Sequence, residues 1–196
     1  MRLQDLKNSG NKAGRVFYRL RASSFGDFAV VWSVRRGRPG VIRIFLSNPR
    51  EPAKRILAGN YPRAIVSSCP EIDSLAGLLA GSLKGEAVKF PLDILRLDLC
   101  SAFQKKVLRA EHAIPRGQVS TYSRIAARIG HPGGARAVGS ASASNPFPLI
   151  IPCHRVIRSD GAPGGYQGGG KMKRALLDME RRRSRAEGRP FRKRPG

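Results

Sequence analysis

Residues 119–146 read VSTYSRIAARIGHPGGARAVGSASASNP, and the way this stretch divides decides the fold of the second half of the chain. Ile125, Ala126 and Ile129 recur at helical spacing, so the segment before Gly130 predicts a short helix. The run GHPGG at 130–134 breaks it, and ARAVGSASA at 135–143 predicts a second. Two helices across a tight glycine-bearing turn form a helix–turn–helix, or simply a pair that packs together. The second helix has one long polar side chain, Arg136. The rest is Ala135, Ala137, Val138, Gly139, Ser140, Ala141, Ser142 and Ala143. Small residues let a helix backbone come close to another surface. That surface is either the rest of the domain or a narrow groove such as the minor groove of DNA. Arg136 is then either a solvated surface residue or a side chain able to enter a base stack.

Outward from this pair, the preceding segment SAFQKKVLRAEHAIPRG (101–117) predicts a helix. Ser101 is its cap, Phe103, Val107 and Leu108 share one face, and it stops before Pro115 and Gly117. The following segment, NPFPLIIPCHRVIRSDG (145–161), sets Cys153 beside His154 after an apolar run. Cys153 is either a buried structural thiol or a nucleophile at the mouth of a pocket. Adjacency does not choose, because successive side chains of an extended segment point to opposite faces. The first half reads differently. RVFYRLRAS (15–23), FAVVWSVRR (28–36) and VIRIFLS (41–47) are β-branched and aromatic, with turn chemistry at RRGRPG (35–40). NPREPAKRILAG (48–59) predicts a helix. So does PEIDSLAGLLAGSLKGE (70–86), through Ile72, Leu75, Leu78, Leu79 and Leu83. The expected fold class is therefore α+β, a strand-rich N-terminal domain over 1–96 and a mainly helical one over 97–180.

Composition narrows the partners. The chain carries 37 Lys plus Arg against 13 Asp plus Glu, a formal charge of +24. The last sixteen residues, RRRSRAEGRPFRKRPG, supply +7 of it and read as a disordered basic tail over 181–196. The body is still strongly basic, so the excess points to a polyanion, most simply nucleic acid, or serves only solubility. A hydrophobic content of 41% suits a globular protein. No stretch reaches the roughly 18 apolar residues of a membrane span, and MRLQDLKNSGNKAGR has no apolar signal region. Three scattered cysteines, Cys69, Cys100 and Cys153, form neither a metal-type pair nor a disulfide set. They point to a reducing intracellular setting, cytoplasmic or, in a eukaryote, nuclear. No metal and no cofactor are expected. The glycine-rich GGYQGGG (164–170) lacks the GK[ST] of a phosphate loop.

Taken in order, IPRGQVSTYSRIAARIG, ARAVGSASASNPFPLIIPCHRVI, SDGAPGGYQGGG and KRALLDME resemble the O6-alkylguanine-DNA alkyltransferase (methylated-DNA–protein-cysteine methyltransferase) family. The resemblance is continuous over roughly 97–180 and loose over 1–96. It departs at Leu108 and Ala175, where the family commonly has tryptophan, at Arg158, where a small residue is common, and at Gln167. It implies a ribonuclease H-like N-terminal domain and a winged-helix-like C-terminal domain acting as a monomer. It also implies irreversible transfer of an alkyl group from guanine O6 to Cys153, with O4-alkylthymine left open as a second substrate. His154 would be the base working through a water, Glu180 would orient it, and Asn145 would brace the turn. Tyr122, the backbone of Val156, Tyr166 and the Gln167 N–H would hold the base. Without the family, Tyr122 reads equally as a core tyrosine. Arg136 would fill the place of a flipped nucleotide, with Ala135, Ala137 and Gly139 along the minor groove of double-stranded DNA. The alternatives are a non-catalytic alkyltransferase-like lesion binder, which lacks the acceptor cysteine, and a helix–turn–helix regulator. His112 and His131 read as surface residues, Cys69 and Cys100 as structural, and Lys173 and Arg174 as facing solvent or phosphate.

Overall fold

A computed structural model describes residues 14–186. The chain divides into two compact units after Ser101. The divide falls beyond the expected boundary at 96, because the segment after Ile94 still belongs to the first unit. Val41 N donates to Ile94 O at 2.7 Å and Arg96 N to Val41 O at 2.8 Å, while Leu99 sits in the first unit's core.

The first unit is built on a four-stranded sheet. β1 (Val16–Arg21), β2 (Phe28–Arg35) and β3 (Arg38–Leu46) pair antiparallel in sequence order. Arg36 and Gly37 link β2 to β3 with φ of 50° and 74°. Two successive left-handed residues in a two-residue hairpin match the right-handed twist of the strands, which is the turn the sequence RRGRPG leads one to expect. After α1 (Ala53–Asn60), the short β4 (Ile65–Val66) returns parallel to β1, giving the order β3-β2-β1-β4. Residues Phe28–Ser33 of β2 are all buried, so both sheet faces are covered. Ala29, Val31, Ile42 and Phe45 pack with Ala53 and Leu57 of α1 and with Tyr61 just beyond its end. α2 (Pro70–Leu83) opens with Pro70 at its first position and Glu71 and Asp73 in its first turn, both suited to a helix start. It buries Ile72, Leu75, Leu79 and Leu83, the expected stripe with Leu78 at its margin.

In the second unit α3 (Ala102–His112), α4 (Tyr122–Arg128) and α5 (Ala135–Ala143) pack together. Thr121 caps α4 by accepting from Arg124 N at 3.3 Å. Their shared core is Val107, Ala110, Ile114, Ile125, Ala126, Val138 and Ala141, with Val156. Leu108 is fully buried. A two-stranded parallel ribbon joins β5 (Ser120–Thr121) to β6 (Val156–Ile157), Ser120 opposite Val156 and Thr121 opposite Ile157. It fastens the start of α4 to the chain just after Cys153. α6 (Gly169–Ala186) closes the unit. This corrects the expected tail from 181: residues 181–186 continue the helix, since arginine is a good helix former and the charge run does not interrupt it. Residues 187–196 of that tail lie outside the described residues. Among the described residues no helix is long and apolar enough to cross a membrane.

Candidate active site

The segment 145–153 turns sharply, and its turn is held from within. Asn145 is buried; its Oδ1 accepts from Phe147 N at 2.9 Å and its Nδ2 donates to Ile151 O at 2.9 Å. Ile151 N reaches Phe147 O at 2.8 Å and Cys153 N reaches Ile151 O at 2.8 Å. Leu149, buried, holds a φ of 74°, a left-handed conformation that costs a non-glycine residue roughly 1–2 kcal/mol. This bracing delivers Cys153 as the first residue of a 3-10 turn, Cys153–Arg155.

His154 and Arg155 converge on one carboxylate. His154 Nε2 lies 2.9 Å from Glu180 Oε1, and Arg155 donates to the same group from Nε at 3.0 Å and from Nη2 at 3.0 Å. Gly117 N adds a bond to Glu180 Oε2 at 3.1 Å. Burial alone would raise the Glu180 carboxyl, but His154 and Arg155 outweigh it and bring it down to about 2. Glu180 is therefore a carboxylate, and Nε2 must be the proton donor in that pair. That leaves Nδ1 as the lone-pair nitrogen, and among the described residues it has no hydrogen-bond partner. Burial lowers the His154 pKa more than Glu180 raises it, so the ring is neutral at pH 7. A neutral imidazole with a bare Nδ1, next to a thiol, can act as a base.

The thiol itself is buried and pushed up to about 12, first by burial and then by the negative charge of Glu111, against opposing help from Asn145 and Lys173. At rest it is a thiol, and a thiolate forms only when a base takes the proton. Lys173 departs from the expectation that it faces solvent: it is fully buried, and its Nζ donates to Val156 O at 2.6 Å and Gly165 O at 3.2 Å. The Val156 carbonyl, expected to accept from a base, already accepts from Lys173. Glu111 is likewise fully buried. Helical period is the signal that could have found both. Lys173 falls between Met172 and Leu176 on the stripe that also carries Glu180, and Glu111 lies one turn after Val107.

Tyr166 packs edge-on against the His154 ring, centroids 6.1 Å apart. Gly164, at φ 69°, leaves room for Tyr122: a Cβ there would stand 2.9 Å from the phenol oxygen. Gln167 follows Tyr166, half-buried. Tyr122 also lines an open recess of about 340 Å³ together with Ala135, Arg136, Gly139, Ser123, Arg158 and Ser159. Arg136 and Ala137 are exposed on α5, whose other face buries Val138, Ala141 and Ser142. The ribbon β5–β6 and the 164–167 segment thus bring Tyr122, Val156 and Tyr166 to the Cys153 turn. His131 and His112 are exposed, His131 edge-on to Phe103. Cys69 is half-buried and Cys100 buried, both as free thiols. Among the described residues no group of three or more His, Cys, Asp or Glu could hold a metal.

Residues 102–182 match the family model described as the DNA-binding domain of 6-O-methylguanine DNA methyltransferase. A methylated-DNA–protein-cysteine methyltransferase of Methanothermobacter thermautotrophicus is 43% identical over 154 residues, 79% of each chain. That of Mycobacterium tuberculosis is 44% identical over 116 residues, 59% of this chain and 67% of the other. Among solved structures, M. tuberculosis OGT in complex with DNA superposes with a TM-score of 0.65 at 32% identity, over 85% of this chain and 94% of that one. With that likeness running through both units, the chain belongs to the methylated-DNA–protein-cysteine methyltransferase family.

Proposed function

We propose that this protein repairs DNA by direct reversal, taking an alkyl group, methyl above all, from O6 of guanine onto Cys153 in a single irreversible event. The observation that carries this reading is the pairing of a braced cysteine with a neutral histidine whose Nε2 is committed to Glu180. His154 Nδ1 takes the Cys153 proton through a bridging water. The thiolate sulfur attacks the alkyl carbon, the carbon–O6 bond breaks, and its electron pair stays on guanine. The proton held on His154 balances the charge left on the base, and the Tyr122 hydroxyl donates to the ring as it departs. The product thioether is not a leaving group, so the molecule is spent. O4-alkylthymine is an open second substrate.

A guanine O6 inside a duplex is out of reach, so the nucleotide is flipped. The recess beside Tyr122 and the exposed Arg136 on a small-residue face support a minor-groove approach, with Arg136 replacing the flipped base and Ala135, Ala137 and Gly139 lining the contact. The paired helices α4 and α5 with the β5–β6 ribbon support a winged-helix-like reading of the second unit. The order β3-β2-β1-β4, with α1 before the parallel strand, supports a ribonuclease H-like reading of the first. The protein acts as a monomer wherever the genome is, in the cytoplasm or in a nucleus.

The test uses duplex DNA carrying O6-methylguanine labelled in the methyl group. Label is expected on Cys153 alone, saturating at about one equivalent, with none on Cys153→Ser, which still binds the lesion. Label on Cys69 or Cys100, or repeated turnover, would overturn the mechanism. An inert wild type that binds lesions tightly would establish the lesion-binding alternative.

A further inference from the structure

Beside the acceptor turn lies a second buried carboxyl group for which the reaction above has no use. Glu111 is on α3, which packs against both α5 and the Cys153 turn, while α6 packs against the same turn from elsewhere. Glu111 is 0% exposed, and neither of its oxygens has a hydrogen bond of ordinary geometry among the described residues. A buried carboxyl left in that state is costly and needs a reason. The polar groups acting on it are the Ser142 hydroxyl of α5 and the Lys173 ammonium of α6, both of which favour its charged form. Its own charge is felt in turn by Cys153 on the turn and Tyr122 on α4, and it raises both. No ion pair joins Glu111 to Lys173; the cation instead donates to the carbonyls of Val156 and Gly165. One cation, itself brought down to about 8 by burial, thus faces two groups able to become anions, the Glu111 carboxyl and the Cys153 thiol. Both raise the Lys173 pKa against the burial that lowers it.

We infer that Glu111 is a positioning residue that competes with the Cys153 thiolate for the single positive charge of Lys173 and so governs when the acceptor can ionise. With Glu111 protonated, Lys173 supports the thiolate. With Glu111 ionised, the same charge is already balanced, and a second anion in a dry site is resisted. Burial pushes the Glu111 carboxyl up to about 7, so the exchange falls near neutral pH. The two groups are coupled: as pH rises Glu111 ionises first, and the thiol then titrates against an anion already in place, at higher pH than it would alone.

This inference rests on Cys153 being the alkyl acceptor, but its test has a readout that does not. The Cys153 thiolate is titrated by its ultraviolet absorbance in full-length wild type, Glu111→Gln and Glu111→Leu, each differenced against the same protein carrying Cys153→Ser. The Cys153 thiol of both Glu111 variants should ionise at lower pH than in wild type. At pH values above about 7 they should also react with the free base O6-benzylguanine about tenfold faster than wild type, the equivalent of one pKa unit. Unchanged thiolate midpoints in both variants would overturn the inference, even if their stability changed, because a purely structural carboxyl would move stability alone. A wild type that titrates as described but never takes label from O6-methylguanine in duplex DNA would overturn the alkyl-transfer reading and leave the charge competition standing.

Discussion

Replacing Glu180 by glutamine keeps the shape of the side chain and removes its charge, which makes it a sharp probe of the acceptor site. The wild-type carboxylate accepts from His154, Arg155 and Gly117. Its pKa falls from 4.5 to about 2 on folding, which at about 1.4 kcal/mol per pKa unit is worth roughly 3 kcal/mol at neutral pH. Little of this is lost to solvent screening, because the Glu180 and Arg155 side chains are only 7% and 15% exposed. Glu180→Gln should therefore lose roughly 3 kcal/mol at pH 7, about 10 °C in Tm for a chain of this size. The sign with pH is fixed. A carboxyl that folding makes more acidic stabilises the protein fully above its unfolded pKa of 4.5 and loses that contribution as pH falls toward about 2. The gap between wild type and variant should thus be complete at neutral pH and close over that acid window. Urea unfolding followed by helical circular dichroism at several pH values measures it. A gap under 0.5 kcal/mol at pH 7, or one that fails to close in acid, would refute the reasoning.

Two further outcomes can be read from duplex and free-base substrates. Arg136→Ala should slow repair of duplex DNA at least tenfold more than reaction with O6-benzylguanine, which needs no flipping; equal losses would make Arg136 a support of the fold. Gly164→Ala forces a side chain into a φ of 69° and toward the Tyr122 hydroxyl, whereas Gly161→Ala, at φ 86°, meets nothing within 4 Å. Both should lose about 1–2 kcal/mol of stability to backbone strain. Only Gly164→Ala should also slow transfer several-fold, measured as single-turnover rates on the free base.

Local pattern carried much of the fold. The bounds Ala135–Ala143 of α5 are those that GHPGG and the following small residues predict, and the Arg36–Gly37 turn and the α2 stripe are equally plain in the sequence. The two-residue strands β4, β5 and β6 left no such trace, because their pairing is set by distant partners and two residues show no period. Lys173 and Glu111 were hidden for a different reason. Charged side chains are seldom fully buried, so residue type outweighed a helical spacing that placed both on apolar faces. The end of α6 was obscured by charge in a similar way. Arg155, the third member of the Glu180 cluster, was passed over beside the more reactive Cys153 and His154.

Leu149 holds its left-handed backbone in every folded molecule, and the Asn145 bonds keep the acceptor turn from relaxing. A catalyst that cycles must loosen its reacting groups, discharge a product and return to its starting arrangement. A residue that accepts one group and keeps it has no return journey to make. A stiff turn, wound once during folding and never reset, is well matched to that single use. Softening it, as Leu149→Gly would, offers such a molecule no benefit in throughput.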